Sequence, residues 1–106
     1  MIVKSKDAKQ GKFMGVSFDV LAVGEKSMVT RMNYTTDDSV PFHKHPHEQS
    51  GYVISGRFRL KSGDIDEMLE PGDTYSIPGN SPHSFEVIEA GQMIDFFNPP
   101  REDYLS

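Results

Sequence analysis

Apolar and polar residues alternate with a period of two along most of the chain. Between residues 28 and 34, for example, Met28, Met32 and Tyr34 fall on one side, and Arg31 and Asn33 fall on the other. This alternation is typical of a β-strand with one buried face. No window of about 11 residues carries an apolar stripe at helical spacing, so the pattern predicts an all-β protein.

Short segments with this pattern are separated by clusters of Gly, Pro, Asn and Asp, which favour turns. We predict strands over residues 13–21, 28–34, 51–60 with a break at 55–56, 65–69, 74–78, 84–88 and 93–97. Many short strands at regular spacing predict an antiparallel sandwich or barrel. Residues 1–12 are polar and rich in Lys, which predicts a loose arm or an edge strand, and the tail after Pro100 is expected to dock on the barrel.

Length and composition narrow the classes of protein further. The 106 residues suit one domain, so we predict a single domain over residues 1–106. The chain has no Cys, which excludes disulfides, thiolate metal sites and a catalytic thiol. The formal net charge of −5 disfavours binding to nucleic acid and to anionic membranes. The N-terminus lacks the apolar run of a signal peptide, so a cytoplasmic protein is the default expectation.

The segment from Pro41 to Gln49 carries the chemistry, because three of the four histidines in the chain lie between positions 43 and 47. His43 and His45 are two residues apart, so on a strand both would project from one face and could reach one metal ion. Pro46 ends the regular strand, which would let the chain bend and Gln49 turn inward. Pro46 also breaks the strand parity that would turn His47 inward, so we expect His47 outside the ligand set.

His83 follows a turn-rich loop and would have to reach the cluster from a distant strand. We predict that His43, His45, Gln49 and His83 bind one divalent metal ion. The alternative is a set of histidines that bind no metal. Gln49 could instead only hydrogen-bond a ligand histidine, and a shift of one position would make Glu48 the ligand.

The spacing of these residues resembles two motifs of the cupin superfamily. The first motif is His-x-His, three residues, Glu, six residues and Gly, and the second is Gly, five residues, Pro-x-Gly, two residues and His. The matching positions here are His43, His45, Gln49 and Gly56, then Gly72, Pro78, Asn80 and His83, with fifteen residues between Gly56 and Gly72. The resemblance implies a small antiparallel barrel of the jelly-roll or double-stranded β-helix type, a metal in its mouth and a homodimer.

The sequence departs from the cupin motifs in ways that bear on chemistry. Gln49 stands where the first motif has Glu, so the whole ligand set would be neutral and would leave the full charge of the ion on the site. Such a site attracts anionic ligands. Imidazole and oxygen ligands suit Ni, Fe, Co, Cu, Zn or Mn. Asn80 replaces a Gly, which is a mild change because Asn tolerates the left-handed conformation.

A narrower group of one-barrel cupins is similar to this chain over residues 93–104, together with residues 43–49 and 51–56. That group includes enzymes that open and ketonise 4,5-unsaturated monouronates from pectin and alginate breakdown. The resemblance implies that Asp95 and Arg101 are catalytic: Asp95 would move protons and Arg101 would hold the substrate carboxylate. Asp95 could otherwise face solvent, and Arg101 could otherwise be a solvated charge or pair with Glu102.

The sequence therefore predicts a metal-dependent enzyme that acts on a small anionic acid derived from carbohydrate. No organic cofactor is expected. Two other classes stay open at this point. One is an Fe(II) dioxygenase or an isomerase of a small metabolite, and the other is a sensor that binds a sugar or metal without turnover.

Overall fold

The alternating segments form ten β-strands in the computed structural model, which describes residues 1–105. The strands are β1 (Lys9–Phe13), β2 (Val16–Val23), β3 (Met28–Tyr34), β4 (Ser39–His43), β5 (Glu48–Val53), β6 (Arg57–Ser62), β7 (Ile65–Leu69), β8 (Thr74–Ile77), β9 (His83–Glu89) and β10 (Gly91–Asn98). Short 3₁₀ helices cover Ser5–Asp7 and Glu102–Tyr104. Within residues 1–105, no helix is long and apolar enough to cross a membrane.

The strands form two antiparallel sheets whose inner faces share one apolar core, which confirms the predicted all-β class. One sheet has six strands in the order β1-β2-β3-β10-β5-β8, and the other has four in the order β4-β9-β6-β7. Strands from distant parts of the chain are neighbours, so β10 lies between β3 and β5. The core consists of Val16, Phe18, Met28, Met32, Tyr34, Val40, Val53, Phe58, Leu60, Leu69, Ile77, Phe85, Met93, Phe97 and Tyr104.

The single strand predicted over residues 13–21 is wrong, whereas the predicted break at residues 55–56 is present. Residues 13–21 are not one strand, because Met14 and Gly15 adopt positive φ angles of 50° and 85°. Two successive residues with positive φ make a tight hairpin turn, so the chain reverses between β1 and β2. Strand β1 is thus the edge strand that residues 1–12 were expected to provide. The break expected at 55–56 is present, with Gly56 at a φ of 85°.

The inward and outward faces of the strands follow the alternation of the sequence. In β10, Met93, Asp95 and Phe97 are buried, whereas Phe96 is 45% exposed, so the two adjacent phenylalanines face opposite sides of the sheet. In β5, Tyr52 faces outward and is 46% exposed. Its neighbours in β5 occupy the inward positions, which places its ring outside.

The chain after β10 folds back onto the barrel, as the sequence suggested. Arg101 and Tyr104 are buried, at 5% and 8% exposure. The Tyr104 ring stacks on Phe18 with 4.2 Å between centroids and meets Phe97 edge-on at 5.6 Å. The C-terminal tail therefore closes one side of the barrel interior and brings its own side chains there.

Candidate metal centre

Two of the predicted ligands lie at the end of β4 and just beyond it. Strand β4 ends at His43, so His45 lies past the strand rather than on it. The expectation that both histidines share one strand is therefore wrong. The backbone N–H of Asn80 donates to the carbonyl of His45 at 2.7 Å and holds the loop inward. The rings of His43 and His45 still lie near each other, with centroids 5.6 Å apart.

The third histidine arrives from a distant strand, as predicted. His83 begins β9, and the pairing of β4 with β9 places it opposite His43. Their ring centroids are 4.3 Å apart, and those of His45 and His83 are 5.0 Å apart. One ligand nitrogen from each of the three rings lies within 4.8 Å of the others, a cluster that can hold one metal ion.

The backbone sets the same tautomer for all three imidazoles. Each ring uses Nδ1 to hydrogen-bond a carbonyl oxygen two residues away: His43 to Pro41 at 3.1 Å, His45 to His47 at 3.0 Å and His83 to Ser81 at 2.8 Å. A neutral ring that donates through Nδ1 keeps a free lone pair on Nε2. Burial lowers the pKa of each ring, so the neutral form that metals require is favoured.

One of these lone pairs has no partner within residues 1–105. The Nε2 atom of His83 is buried and makes no hydrogen bond there. A buried polar atom without a partner carries a large desolvation cost. A metal ion bound by the three Nε2 atoms would remove that cost, so the residues present fit a divalent ion.

Gln49 supplies a fourth donor beside the histidines. Its Oε1 atom lies 3.0 Å from Nε2 of His45, while its Nε2 atom donates to the Tyr75 hydroxyl at 2.8 Å. Burial, with the Arg101 charge nearby, lowers the pKa of His45 to about 4, so this ring is neutral at pH 7. Two acceptor atoms therefore face each other across 3.0 Å, an arrangement that a shared cation satisfies.

Asp95 points into the barrel from β10, not to solvent. It is 2% exposed, and Nε2 of Gln49 lies 3.5 Å from its Oδ2 atom. The Tyr75 hydroxyl donates a short hydrogen bond to its other oxygen, Oδ1. Burial raises the pKa of Asp95 to about 7, although the Tyr75 hydrogen bond and the Arg101 charge oppose this. A carboxyl group with a near-neutral pKa suits general acid–base work.

Arg101 is also buried, which the composition of the tail did not indicate. Its partner is Asp103, with 2.7 Å between Nη2 and Oδ2, so the expected pair with Glu102 does not form. Its guanidinium group lies over the rings of Tyr104, Phe13 and Phe97 at 4.1, 4.7 and 5.3 Å from their centroids. Aromatic faces on three sides hold the guanidinium in place.

One small cavity lies between Arg101, Asp95, Gln49 and His43. It is lined by His43, Gln49, Asp95, Arg101, Tyr104 and Phe13 together with Met32, Tyr34, Val40 and Phe85, and its free volume is about 10 Å³. That space suits one ion or water. A sugar acid would have to displace side chains at the mouth, where the C-terminal tail contributes Arg101 and Tyr104.

Other charged residues raised by the sequence lie elsewhere. Arg31 pairs with Asp19 at 3.0 Å on the six-stranded sheet, and Arg57 and Arg59 have exposed side chains. Glu48 is exposed, so it does not replace Gln49. His47 is only partly buried and meets the cluster through its carbonyl oxygen.

Tyr75 is the residue at this site that the sequence reasoning missed. It lies on β8 and reaches the cluster across the neighbouring strand, so no local spacing marks it. One indirect signal existed: Gly51 belongs to the strand predicted over residues 51–60, and a glycine in a strand often marks a close approach by another group.

The fold and the ligand cluster define a cupin. Residues 30–97 match the sequence profile of the family described as "Cupin domain", and the chain belongs to that family. The match covers both motifs and the strands between them. No curated protein matches the chain.

Solved structures show the same fold. An RmlC-like cupin from Shewanella frigidimarina is 23% identical to this chain, with a TM-score of 0.89. The alignment covers 97% of this chain and 94% of the Shewanella chain. KdgF from Halomonas sp. is 24% identical, with a TM-score of 0.87, and the alignment covers 97% of this chain and 98% of the KdgF chain. Oxalate decarboxylase of Bacillus subtilis, which has Mn(II) centres, is 19% identical, with a TM-score of 0.85. The alignment covers 97% of this chain and 31% of the oxalate decarboxylase chain. Identities at this level are evidence for the fold only.

Proposed function

We propose that this cupin is a metal-dependent enzyme that opens and ketonises 4,5-unsaturated monouronates. The observation that carries the proposal is the position of Asp95 and Arg101, which line one cavity with His43 and Gln49. These are the residues that the resemblance to the uronate-acting cupins implies. The structural likeness to enzymes such as oxalate decarboxylase fits a catalytic role for the fold without naming the reaction.

The reaction changes the arrangement of atoms but not the composition. Ring opening breaks the C–O bond of the cyclic hemiacetal and leaves an aldehyde and an enol. Ketonisation then moves the enol proton from oxygen to the adjacent alkene carbon. The protein must therefore bind an anionic acid and move a proton between two atoms of the same molecule.

The neutral donor set suits the anionic substrate. Three imidazoles and one amide would leave the charge of a divalent ion uncompensated, and the ion would attract and polarise the oxygens of a bound acid. The protein's own residues supply the rest. Within residues 1–105, Asp95 is the carboxyl group that lines the cavity, and it would take up and return the proton.

Arg101 would hold the substrate carboxylate. A guanidinium has five N–H donors, and within residues 1–105 three of those of Arg101 are engaged, two with Asp103 and one with the Tyr104 hydroxyl. The two that remain can bind a carboxylate in a paired contact. The contact with Asp103 and the aromatic rings hold the group rigid, so binding costs little side-chain entropy.

The test is turnover of unsaturated galacturonate by the metal-loaded protein. Turnover is monitored as the loss of the absorbance of the conjugated enoate. We expect decay well above the rate in buffer. In Asp95→Asn we expect the rate to fall about 10²- to 10⁴-fold, the usual range for loss of a general acid–base group. The metal content of that variant should stay at the parental level.

The matched control is Asp19→Asn. Asp19 is likewise buried, at 6% exposure, but pairs with Arg31 on another part of the sheet. Its variant should keep parental turnover. Decay no faster than in buffer would contradict the proposed activity. A substrate that raises the melting temperature without being converted would instead support a binding cupin.

A further inference from the structure

The Tyr75 hydroxyl lies between the acid–base group and a metal ligand. It donates to Oδ1 of Asp95 and accepts from Nε2 of Gln49 at 2.8 Å. Burial raises the pKa of Tyr75 well above its ordinary value, so the hydroxyl keeps its proton and stays a donor. Tyr75, on strand β8, thus contacts both the proposed acid–base residue Asp95 and the proposed metal ligand Gln49.

The strand register shows how Tyr75 gets there. Gly51 on β5 lies opposite Tyr75 on β8 and also opposite Asp95 on β10. A Cβ atom added at Gly51 would lie 2.6 Å from the Tyr75 hydroxyl oxygen and closer still to its ring. The ring therefore crosses β5 over the one inward position that has no side chain.

The same contacts decide which end of the Gln49 amide faces the histidines. The Tyr75 hydroxyl donates its single proton to Asp95, so the hydroxyl oxygen can only accept from Gln49. The amide N–H₂ turns to Tyr75 and Asp95, and Oε1 turns to Nε2 of His45. A reversed amide would place acceptor against acceptor at the Tyr75 side.

We propose that Tyr75 is a positioning residue that fixes Gln49 with its oxygen toward the metal and fixes Asp95 for proton transfer. The proposal also explains why glutamine replaces the glutamate of the cupin motif at position 49. A glutamate could not donate to Tyr75, and its carboxylate would lie against the Asp95 carboxylate in a buried site, where like charges repel strongly. The role at Asp95 rests on the proposed function, whereas the role at Gln49 does not.

The experiment compares Tyr75→Phe with Tyr52→Phe. Both tyrosines lie on paired strands of the same sheet, but Tyr52 faces outward at 46% exposure and makes a matched control. Co²⁺ is titrated into metal-free protein, and the affinity and the visible spectrum of the bound Co²⁺ are recorded. We expect Tyr75→Phe to bind Co²⁺ about 10- to 100-fold more weakly, the usual effect of losing a group that orients a ligand, with an altered spectrum. Tyr52→Phe should match the parent.

A second comparison keeps the test valid if Tyr75→Phe folds poorly. In Gln49→Glu the carboxylate faces Asp95, so we expect Co²⁺ affinity at or below that of the parent despite the added charge. The double variant, which combines Gln49→Glu with Asp95→Asn, again has one amide and one carboxylate. The two groups have exchanged positions relative to the parent. The double variant should therefore bind Co²⁺ more tightly than Gln49→Glu alone.

The outcomes separate this proposal from the proposed function. Parental affinity and spectrum in Tyr75→Phe would overturn the positioning role, whatever the enzyme does. If the parent does not convert the uronate, the Co²⁺ data still decide the role at Gln49. If the parent does convert it, Tyr75→Phe should lower kcat with little change in KM, because Tyr75 orients Asp95 and does not line the cavity.

Discussion

The barrel interior has two halves that are built on the same strands but stabilised differently. Strand β5 contributes Gln49 to the metal-centre half and Val53 to the apolar half, and β10 contributes Asp95 and Met93 in the same way. In the apolar half, the buried hydrophobic side chains pack against one another. In the metal-centre half, the structure brings acceptor atoms together and leaves Nε2 of His83 without a partner among residues 1–105. One half stabilises the fold, and the other is completed by a bound ion.

The largest effect on stability should come from the apolar half. Phe58 is fully buried and packs against Tyr34 with 5.0 Å between ring centroids. We expect Phe58→Ala to lower the free energy of unfolding of the metal-free protein by about 3–5 kcal/mol, because it removes apolar burial and leaves a cavity. Denaturant unfolding measures this. His83→Ala in the same metal-free assay should cost clearly less, and equal losses would contradict the comparison.

The largest effect on metal binding should come from the other half. We expect His83→Ala to weaken metal binding at least about 100-fold, since even residues that only orient a ligand cost up to that much. Mass spectrometry of untagged protein measures the metal content. Metal should raise the melting temperature of the parent but not of the variant. His47→Ala is the control and should keep its metal. Metal retained by His83→Ala would refute the predicted ligand set.

The smallest effect should come from the outward face. Phe96 lies between Asp95 and Phe97 on β10 but is 45% exposed. We expect Phe96→Thr to change the free energy of unfolding by less than about 0.5 kcal/mol, as for most surface substitutions. A much larger loss, together with a change in oligomeric state by light scattering, would indicate that this face is covered in solution. The homodimer predicted from the resemblance would explain that result.

Local pattern predicted much of the fold and part of the candidate site. The alternation over residues 28–34 matches β3 to the residue, and Asn80 takes the left-handed φ of 63° that its motif position implies. The pattern failed where a turn has no strong sequence signal, as at Met14-Gly15. It also placed His45 on a strand that ends at His43, because periodicity does not mark where hydrogen bonding between strands stops.

The polar tail shows a second reason for failure. Composition suggested that Arg101 is solvated, since charged residues are seldom buried without partners. The structure supplies partners from near and distant positions: Asp103 and Phe97 lie within four residues of Arg101, whereas Phe13 comes from β1. No local window contains Phe13 and Arg101 together, so burial of the arginine could not be read from the chain.

By itself, the sequence determined the all-β class, the inward and outward faces of most strands and the spacing of the histidines, because these depend on neighbours within a few residues. Tertiary structure alone decided that Tyr75 crosses Gly51 to reach Asp95 and that Arg101 packs against Phe13. Those contacts depend on the register between strands that are far apart in the chain. Register is set by the packing of the whole barrel, and no short segment encodes it.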